Sequence, residues 1–233
     1  MIADNLTRLQ DRISNKCIHS GWNPEEIKLV AVSKYFGIKN IREAKGCGLT
    51  DFGENKAQEL RDKFEIMGHE VTWHFIGSLQ KNKVKYVVKA ASLIHSVDSI
   101  SLADEINKQA EKHDKNQEIL LEIKTSYEDT KAGLIEDEEI FRLAEHCKSC
   151  SNLNLTGLMT MAPYTDDDKI IRKSFSDLRK LKDKFNNQGY DFRVLSMGMT
   201  GDFEIAIEEG ATMLRIGSAI FGARDYSKDW RQI

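Results

Sequence analysis

The sequence predicts an α/β protein: a single-domain (β/α)8 TIM barrel over residues 1–233, with an extra N-terminal helix over residues 1–20. Three observations carry this expectation. Eight strand-like runs alternate with helix-like runs along the chain. No Pro/Gly/Ser-rich linker interrupts that alternation. The length, 233 residues, is one that an α/β barrel commonly fills as a single unit. The rival architecture, an open doubly wound sheet, requires neither eight strands nor a site drawn from both ends of the chain.

Taken in order, Ile2, Leu6, Leu9 and Ile13 repeat at helical spacing and predict a helix over 2–17. Pro24 breaks the chain before a short apolar run, Leu29-Val30-Ala31-Val32, which predicts a buried strand over 28–33. Further strands are expected at 50–53, 73–76, 93–97, 118–124, 154–159, 193–196 and 212–216. Helical spacing fills the intervals at 38–45, 56–66, 82–89, 100–113, 138–147, 169–187 and 203–208. Within 82–89 the face bearing Lys85 and Lys89, with Lys81 before it, lies opposite Val84 and Val88, as a solvated surface would. Asp166, Asp167 and Asp168 open a helix, where carboxylates suit the dipole better than they suggest a metal. Only residues 217–233 follow the eighth strand. The closing helix is therefore short, and the N-terminal helix is expected to cover the side it leaves open.

Composition excludes several classes of function. Lys and Arg total 34 against 37 acids, a formal charge of −3, which gives no drive toward nucleic acid or anionic membrane. The N-terminus has no basic stretch followed by an apolar one, and no apolar run is long enough to cross a bilayer. A cytoplasmic protein is expected. Cys147 and Cys150 form a Cys-x-x-Cys pair, but there is no second pair to complete a zinc site. The pair also falls at the C-terminal end of its helix, where the dipole disfavours a thiolate. Reduced, structural thiols are expected. His95 and His146 show no partner spacing and read as structural.

Chemistry points to the strand ends. Lys34 terminates the first strand; such a lysine either reaches water or, held near low dielectric, offers a free amine to an aldehyde. In barrels of this kind the loops after strands seven and eight often hold phosphate. Those loops read Ser196-Met197-Gly198-Met199-Thr200-Gly201-Asp202 and Gly217-Ser218-Ala219-Ile220-Phe221-Gly222. Glycines and hydroxyls there suit an anion. The alternative is a pair of ordinary turns with Thr200 or Ser218 as helix caps, which Asp202 and Glu204 favour, since carboxylates would repel a phosphate. Arg215 lies inside an apolar run and needs an acceptor, either a buried acid or a ligand heteroatom. Strands one and eight are neighbours once a barrel closes, which would bring Lys34 and Arg215 together.

A set of motifs then stands in one order along the chain: Val30-Ala31-Val32-Ser33-Lys34, Asp51-Phe52-Gly53-Glu54-Asn55, the run from Trp73-His74 to Lys83, Lys131-Ala132-Gly133, Gly157-Leu158-Met159, Leu195 to Thr200, and Met213 to Arg224. In these the sequence resembles the pyridoxal 5′-phosphate (PLP) homeostasis protein family, related to the N-terminal barrel of alanine racemase, from about Ile27 to Tyr226. The resemblance implies PLP as cofactor and Lys34 as the lysine that forms an internal aldimine with it. It also implies Ser196, Gly198, Thr200, Gly217 and Ser218 as the phosphate cradle, and Arg215 facing the pyridine nitrogen. Asn55 and His74, at the ends of the second and third strands, match positions near the ring. Tyr35 follows the lysine where threonine is commoner, and Thr200 stands where serine is common.

Arginine does not give up its proton, so that resemblance implies an unprotonated pyridine nitrogen and a weak electron sink. Racemisation needs a base on each face, and in alanine racemase the second comes from a separate C-terminal domain. The chain stops at Ile233, shortly after the barrel. The expectation is a monomeric carrier and homeostasis factor that holds PLP reversibly and passes it to PLP-accepting apoenzymes, influencing vitamin B6 and amino-acid levels without clear turnover. The alternatives are a PLP-dependent amino-acid racemase with barrel-borne bases, and a cofactor-free Schiff-base aldolase using the phosphate loops for a phosphosugar.

Overall fold

The computed structural model describes residues 1–125, 133–223 and 230–232, and in it eight parallel strands close into a barrel in sequence order. The strands are β1 (Lys28–Val32), β2 (Asp51–Glu54), β3 (Thr72–Phe75), β4 (Leu93–Val97), β5 (Gln117–Glu122), β6 (Leu153–Met159), β7 (Val194–Ser196) and β8 (Met213–Ile216). The helices that follow them are α2 (Ile38–Gly46), α3 (Ala57–Met67), α4 (Val84–Ala90), α5 (Ile100–Lys112), α6 (Asp137–Ser149), α7 (Asp168–Asn187), α8 (Phe203–Glu208) and α9 (Ser218–Phe221). The predicted barrel is thus present, with each strand found within a few residues of its expected place. Lys131, Ala132, Arg224 and Tyr226, cited for the resemblance, lie outside the described residues.

The barrel closes between β1 and β8, with Val30 opposite Arg215 and Ala31 opposite Ile216. The sequence expectation that the first and eighth strands are neighbours therefore holds. Ahead of β1 runs α1 (Ile2–Ser20), whose buried face is Ile2, Leu6, Leu9, Ile13 and Cys17. It extends three residues beyond its apolar stripe because Gly21, at φ 76°, turns back its N–H to the carbonyls of Cys17 and Ile18. Helices α8 and α9 have only 6 and 4 residues, and α1 lies over the gap they leave. Asn5 donates to the Ile220 carbonyl at 3.0 Å, and Arg12 pairs with Glu204 at 3.1 Å.

The main apolar core lies between strands and helices, from Phe52 and Trp73 round to Phe175 and Phe203. Inside the barrel a smaller plug is formed by Val30, Leu93, Leu120, Met159 and Met213. The rest of the interior carries buried polar side chains, including His74, His95, Ser196 and Arg215. Barrel interiors are usually filled by branched apolar residues, so a polar layer this deep calls for a chemical reason. No helix among the described residues is long and apolar enough to cross a membrane.

Candidate functional site

Lys34 sits in the turn immediately after β1, half-buried. The turn is gripped on both sides of it. Ser33 donates its hydroxyl to Glu54 Oε1 at 2.6 Å, and its carbonyl accepts from Lys63 Nζ at 2.9 Å. The Tyr35 N–H donates to Glu59 Oε1 at 2.9 Å. Tyr35 has φ 70°, a left-handed conformation that costs a non-glycine residue on the order of 1–3 kcal/mol. The Glu59 contact helps to offset that strain. Lys63 also donates to Glu54 at 2.7 Å and Glu59 at 2.8 Å, with the Trp230 ring 5.2 Å away.

Lys63 and Glu54 are fully buried. An ammonium there requires carboxylates around it. Burial holds the Glu54 carboxyl well above its usual range; the Lys63 charge opposes that rise and the Glu59 charge adds to it. Sequence reasoning missed this cluster. Glu59 and Lys63 are spaced i,i+4 on α3, which reads as an ordinary surface pair. The available signal was Glu54 itself, an acid closing a short strand between a buried core and the next helix.

Arg215 lies on the interior side of β8 and is buried. Its Nη1 donates to Ser196 Oγ at 2.7 Å and its Nη2 to the Thr160 carbonyl at 2.8 Å. Ser196 Oγ is 2.9 Å from His95 Nδ1, His95 Nε2 is 3.0 Å from His74 Nδ1, and His74 Nε2 is 2.8 Å from Asp51 Oδ1. Of the two roles open to Arg215, the pairing with a bonded acid is not taken up among the described residues: its guanidinium donates to a hydroxyl and a carbonyl. Burial lowers its pKa to about 10, with the charges of Asp202 and Glu122 opposing that, so it remains a cation at neutral pH.

Three further shifts mark this layer. Burial, with the Asp98 charge, raises Glu122 to about 7 against the pull of Arg215. Burial, with the charges of His74 and Arg215, pushes His95 well below the ordinary histidine value. Burial alone would raise Asp51, but hydrogen bonds from His74 and Thr50 and the charges of His74 and Lys28 lower it to about 2.

Two of the expected site residues have their side chains engaged within the barrel. His74, expected at the strand end near a ring, is level with Gly53 and bonds Asp51 and His95 inside the barrel. It lines a cavity of about 600 Å³ at the opposite, lower mouth, among the residues that begin the strands. Ser196, expected in the phosphate cradle, has its hydroxyl engaged by Arg215 and His95. The structure also gives His95 two partners where the spacing had shown none. Asn55 follows β2 directly, and its Oδ1 is buried with no hydrogen-bond partner among the described residues.

The loops after β7 and β8 meet. Ser218 Oγ donates to Thr200 Oγ1 at 3.2 Å, and the Ala219 N–H reaches the same oxygen at 3.4 Å. Thr200 thus ties one loop to the other rather than capping its own helix. Gly198 has φ 93°, and a Cβ there would stand 2.7 Å from the Ala206 Cβ, so only glycine lets this loop fold back onto α8. Asp202 Oδ1 accepts from the Met199 N–H at 2.5 Å, while Glu204 turns outward to Arg12. The carboxylate that argued against an anion site at Glu204 is accordingly directed elsewhere.

Outside the barrel core, Cys17 and Cys147 are buried, and Cys47 and Cys150 are half-buried. Cys147 is buried and burial, with the Cys150 and Asp104 charges, pushes it up to about 12, which keeps it a thiol. His146 has a partner that spacing did not reveal, Asp104 at 2.6 Å.

Comparison with known proteins agrees with this fold. Residues 2–225 match the family described as alanine racemase, N-terminal domain. The pyridoxal phosphate homeostasis protein of Aquifex aeolicus is 42% identical over 227 residues, covering 96% of this chain and 99% of that protein. That of Haemophilus influenzae is 40% identical over 233 residues, covering 97% of each. The structure of PipY from Synechococcus elongatus with PLP bound superposes with a TM-score of 0.84 at 30% identity, covering 95% of this chain and 100% of PipY. The chain belongs to the alanine racemase N-terminal domain family and, within it, to the pyridoxal phosphate homeostasis proteins.

Proposed function

We propose that this protein binds PLP at the upper rim of the barrel, with Lys34 forming a Schiff base to its aldehyde, and serves as a carrier that helps to set intracellular PLP and amino-acid levels. The observation that carries the reading is Arg215: a buried, permanently charged donor, held by a hydroxyl and a carbonyl, on the strand beside the one that leads to Lys34. The residues present fit the group. Asn55 supplies a buried oxygen without a partner, suited to a polar edge of the ring. Gly198, Thr200, Gly217 and Ser218 lie in two loops that meet through exposed or half-exposed hydroxyls, suited to a phosphate. Full-length relatives are named for PLP homeostasis, and PipY carries PLP.

When bound, PLP supplies an aldehyde for amine capture and a ring that can accept electrons. What this chain's residues do follows from their chemistry. The turn at Ser33 and Tyr35 fixes where Lys34 presents its amine. Arg215 would hold the ring nitrogen as a donor that does not surrender its proton, which would leave the ring a weak electron sink. That favours holding the cofactor and handing it to apoenzymes over turning substrates into products. A racemase-like reading has one observation behind it, Glu122, whose value near 7 suits a proton-transferring group.

The test is absorbance with and without borohydride, followed by peptide mapping. The expected result is a yellow protein that loses its band on reduction and keeps a pyridoxyl mass on Lys34, with none in Lys34→Ala. Colourless protein that traps a phosphosugar would support the aldolase and sink this reading. Sustained racemisation of an amino acid, lost in Glu122→Gln, would establish the enzyme instead.

A further inference from the structure

The hydrogen-bonded line from Asp51 to Arg215 can be assigned proton by proton. Arginine offers only donors, so Ser196 Oγ must accept from Nη1. The single Ser196 proton is then left for His95 Nδ1, 2.9 Å away. His95 must carry its own proton on Nε2 and donate it to His74 Nδ1 at 3.0 Å. His74 in turn carries its proton on Nε2 and donates to Asp51 Oδ1 at 2.8 Å. An ionised Asp51 cannot face a bare nitrogen at that distance, and its low value keeps it ionised at neutral pH. An extra proton on His74 would reverse the bond to His95, which would then donate to Ser196. The Ser196 proton would lose its acceptor, and a second cation would stand in line with Arg215. Only the neutral arrangement satisfies every member of the line.

We propose that Asp51, His74 and His95 are positioning residues for Arg215: from the lower half of the barrel they hold Ser196 as an acceptor, and so set the plane in which the guanidinium meets its ligand. This rests on the reading of Arg215 as the donor to a bound ring, but the assignment of the line itself does not. Two acceptors fix the guanidinium, the Thr160 carbonyl from β6's end and the Ser196 hydroxyl from β7, and only the second is adjustable. Backbone carbonyls cannot turn away, whereas a hydroxyl points wherever its own acceptor stands. The far end of the line is also anchored by charge. Lys28 Nζ lies 3.4 Å from Asp51 Oδ1, and Glu118 and Arg193 share with His74 the lining of the lower cavity. Glu122 and Asp202 are the charges that act on Arg215 at the near end.

Nitrogen-15 NMR of the histidine rings, on the full chain without added cofactor, reads the line directly. Both His74 and His95 are expected as neutral Nε2–H tautomers. An Nδ1–H tautomer at either ring, or a doubly protonated His74 at neutral pH, would overturn the assignment. A second measurement takes the PLP-loaded protein. His95→Phe removes the acceptor for Ser196 and is expected to shift the cofactor's absorption band and weaken PLP binding about tenfold. His95→Gln, which can accept from Ser196 and donate toward His74, is expected to restore both. A variant series with an unchanged band would sink the positioning role even where the tautomers agree. If His95→Phe does not fold, the tautomers and His95→Gln decide the matter. Failure of the wild-type protein to bind PLP would instead sink the functional reading and leave the NMR result standing.

Discussion

Lys63 donates to the carbonyl of Ser33 at 2.9 Å, so the residue just before Lys34 is held by a second lysine that water does not reach. The two lysines have opposite settings. One is half-buried on a turn at the rim; the other is enclosed by Glu54 and Glu59 behind that turn. The buried cluster links β1, β2 and α3, and through Trp230 it reaches the C-terminal turn. A change at Lys63 therefore acts on the shape of the Lys34 turn without touching the rim.

Lys63→Met should cost about 3–5 kcal/mol in urea unfolding, because it leaves Glu54 and Glu59 without their buried counter-charge. Lys45→Ala, which breaks an exposed pair with Glu70, should cost less than about 1 kcal/mol. Adding Glu59→Gln to Lys63→Met should recover part of the loss. Equal costs for the two single variants would show that the cluster contributes no more than a surface pair.

Gly157 faces the β7 backbone so closely that a Cβ would stand 2.0 Å from the Val194 carbonyl oxygen. No side-chain rotation relieves that contact; β6 and β7 must separate. Gly157→Ala should lose about 3 kcal/mol or more and disturb Ser196, two residues further along β7. Gly189→Ala, at φ 84° with nothing within 4 Å, should cost only about 1 kcal/mol of backbone strain. Thermal unfolding of the pair checks this, and a mild Gly157→Ala would refute the close approach.

The barrel was legible because strand and helix periods alternate cleanly, and because the β1 and β8 segments are largely apolar. Arg215 stood out as a cation inside such a run, and Lys34 as the polar residue that ends one. The loops after β7 and β8 announced themselves by glycines and hydroxyls. What escaped were relations between residues far apart in sequence. His95 and Ser196 are 101 positions apart, and Ser33 and Glu54 are 21 apart. A histidine on a buried strand looks the same whether its ring nitrogens meet a serine or a helix carbonyl. The partners of His74 escaped for a related reason: period-two alternation says that it points inward, but not at what depth Asp51 and His95 wait.

Stability should also carry the signature of Glu122. Its folded value, about 7, lies above the ordinary 4.5, so the folded protein retains a proton that the unfolded chain has released. That contribution is fully present below about pH 4.5 and is lost as pH rises through about 7. Glu54 shifts in the same direction. Asp51 is lowered from 3.8 to about 2, so its contribution is present above 3.8 and fades only in stronger acid. Between pH 5 and 8 the carboxyls raised by burial therefore make stability fall. Glu122→Gln should flatten that fall, gaining on the parent by on the order of 2 kcal/mol at pH 8 relative to pH 5. Urea unfolding at the two pH values reads it, and parallel slopes would exclude a buried titrating Glu122.

Arg215→Lys tests whether charge or shape matters at the barrel's centre. Lysine keeps the cation but presents donors from one point, whereas arginine reaches Ser196 and the Thr160 carbonyl from two separate nitrogens. A lysine ammonium cannot span both at 2.7 and 2.8 Å with the same geometry, so one buried acceptor loses its partner. The cost should be about 1–3 kcal/mol of stability. Where the bound ring relies on a fixed donor, its absorption band should shift although the net charge is unchanged. Arg215→Leu removes the charge as well, and Thr160 and Ser196 both lose their donor. If shape is what matters, Arg215→Lys should resemble Arg215→Leu in the cofactor band; if charge alone matters, it should resemble the parent. Spectra of the three proteins at one pH, beside their unfolding curves, separate the two, and a parent-like lysine variant would show that the paired acceptors are dispensable for holding the ring.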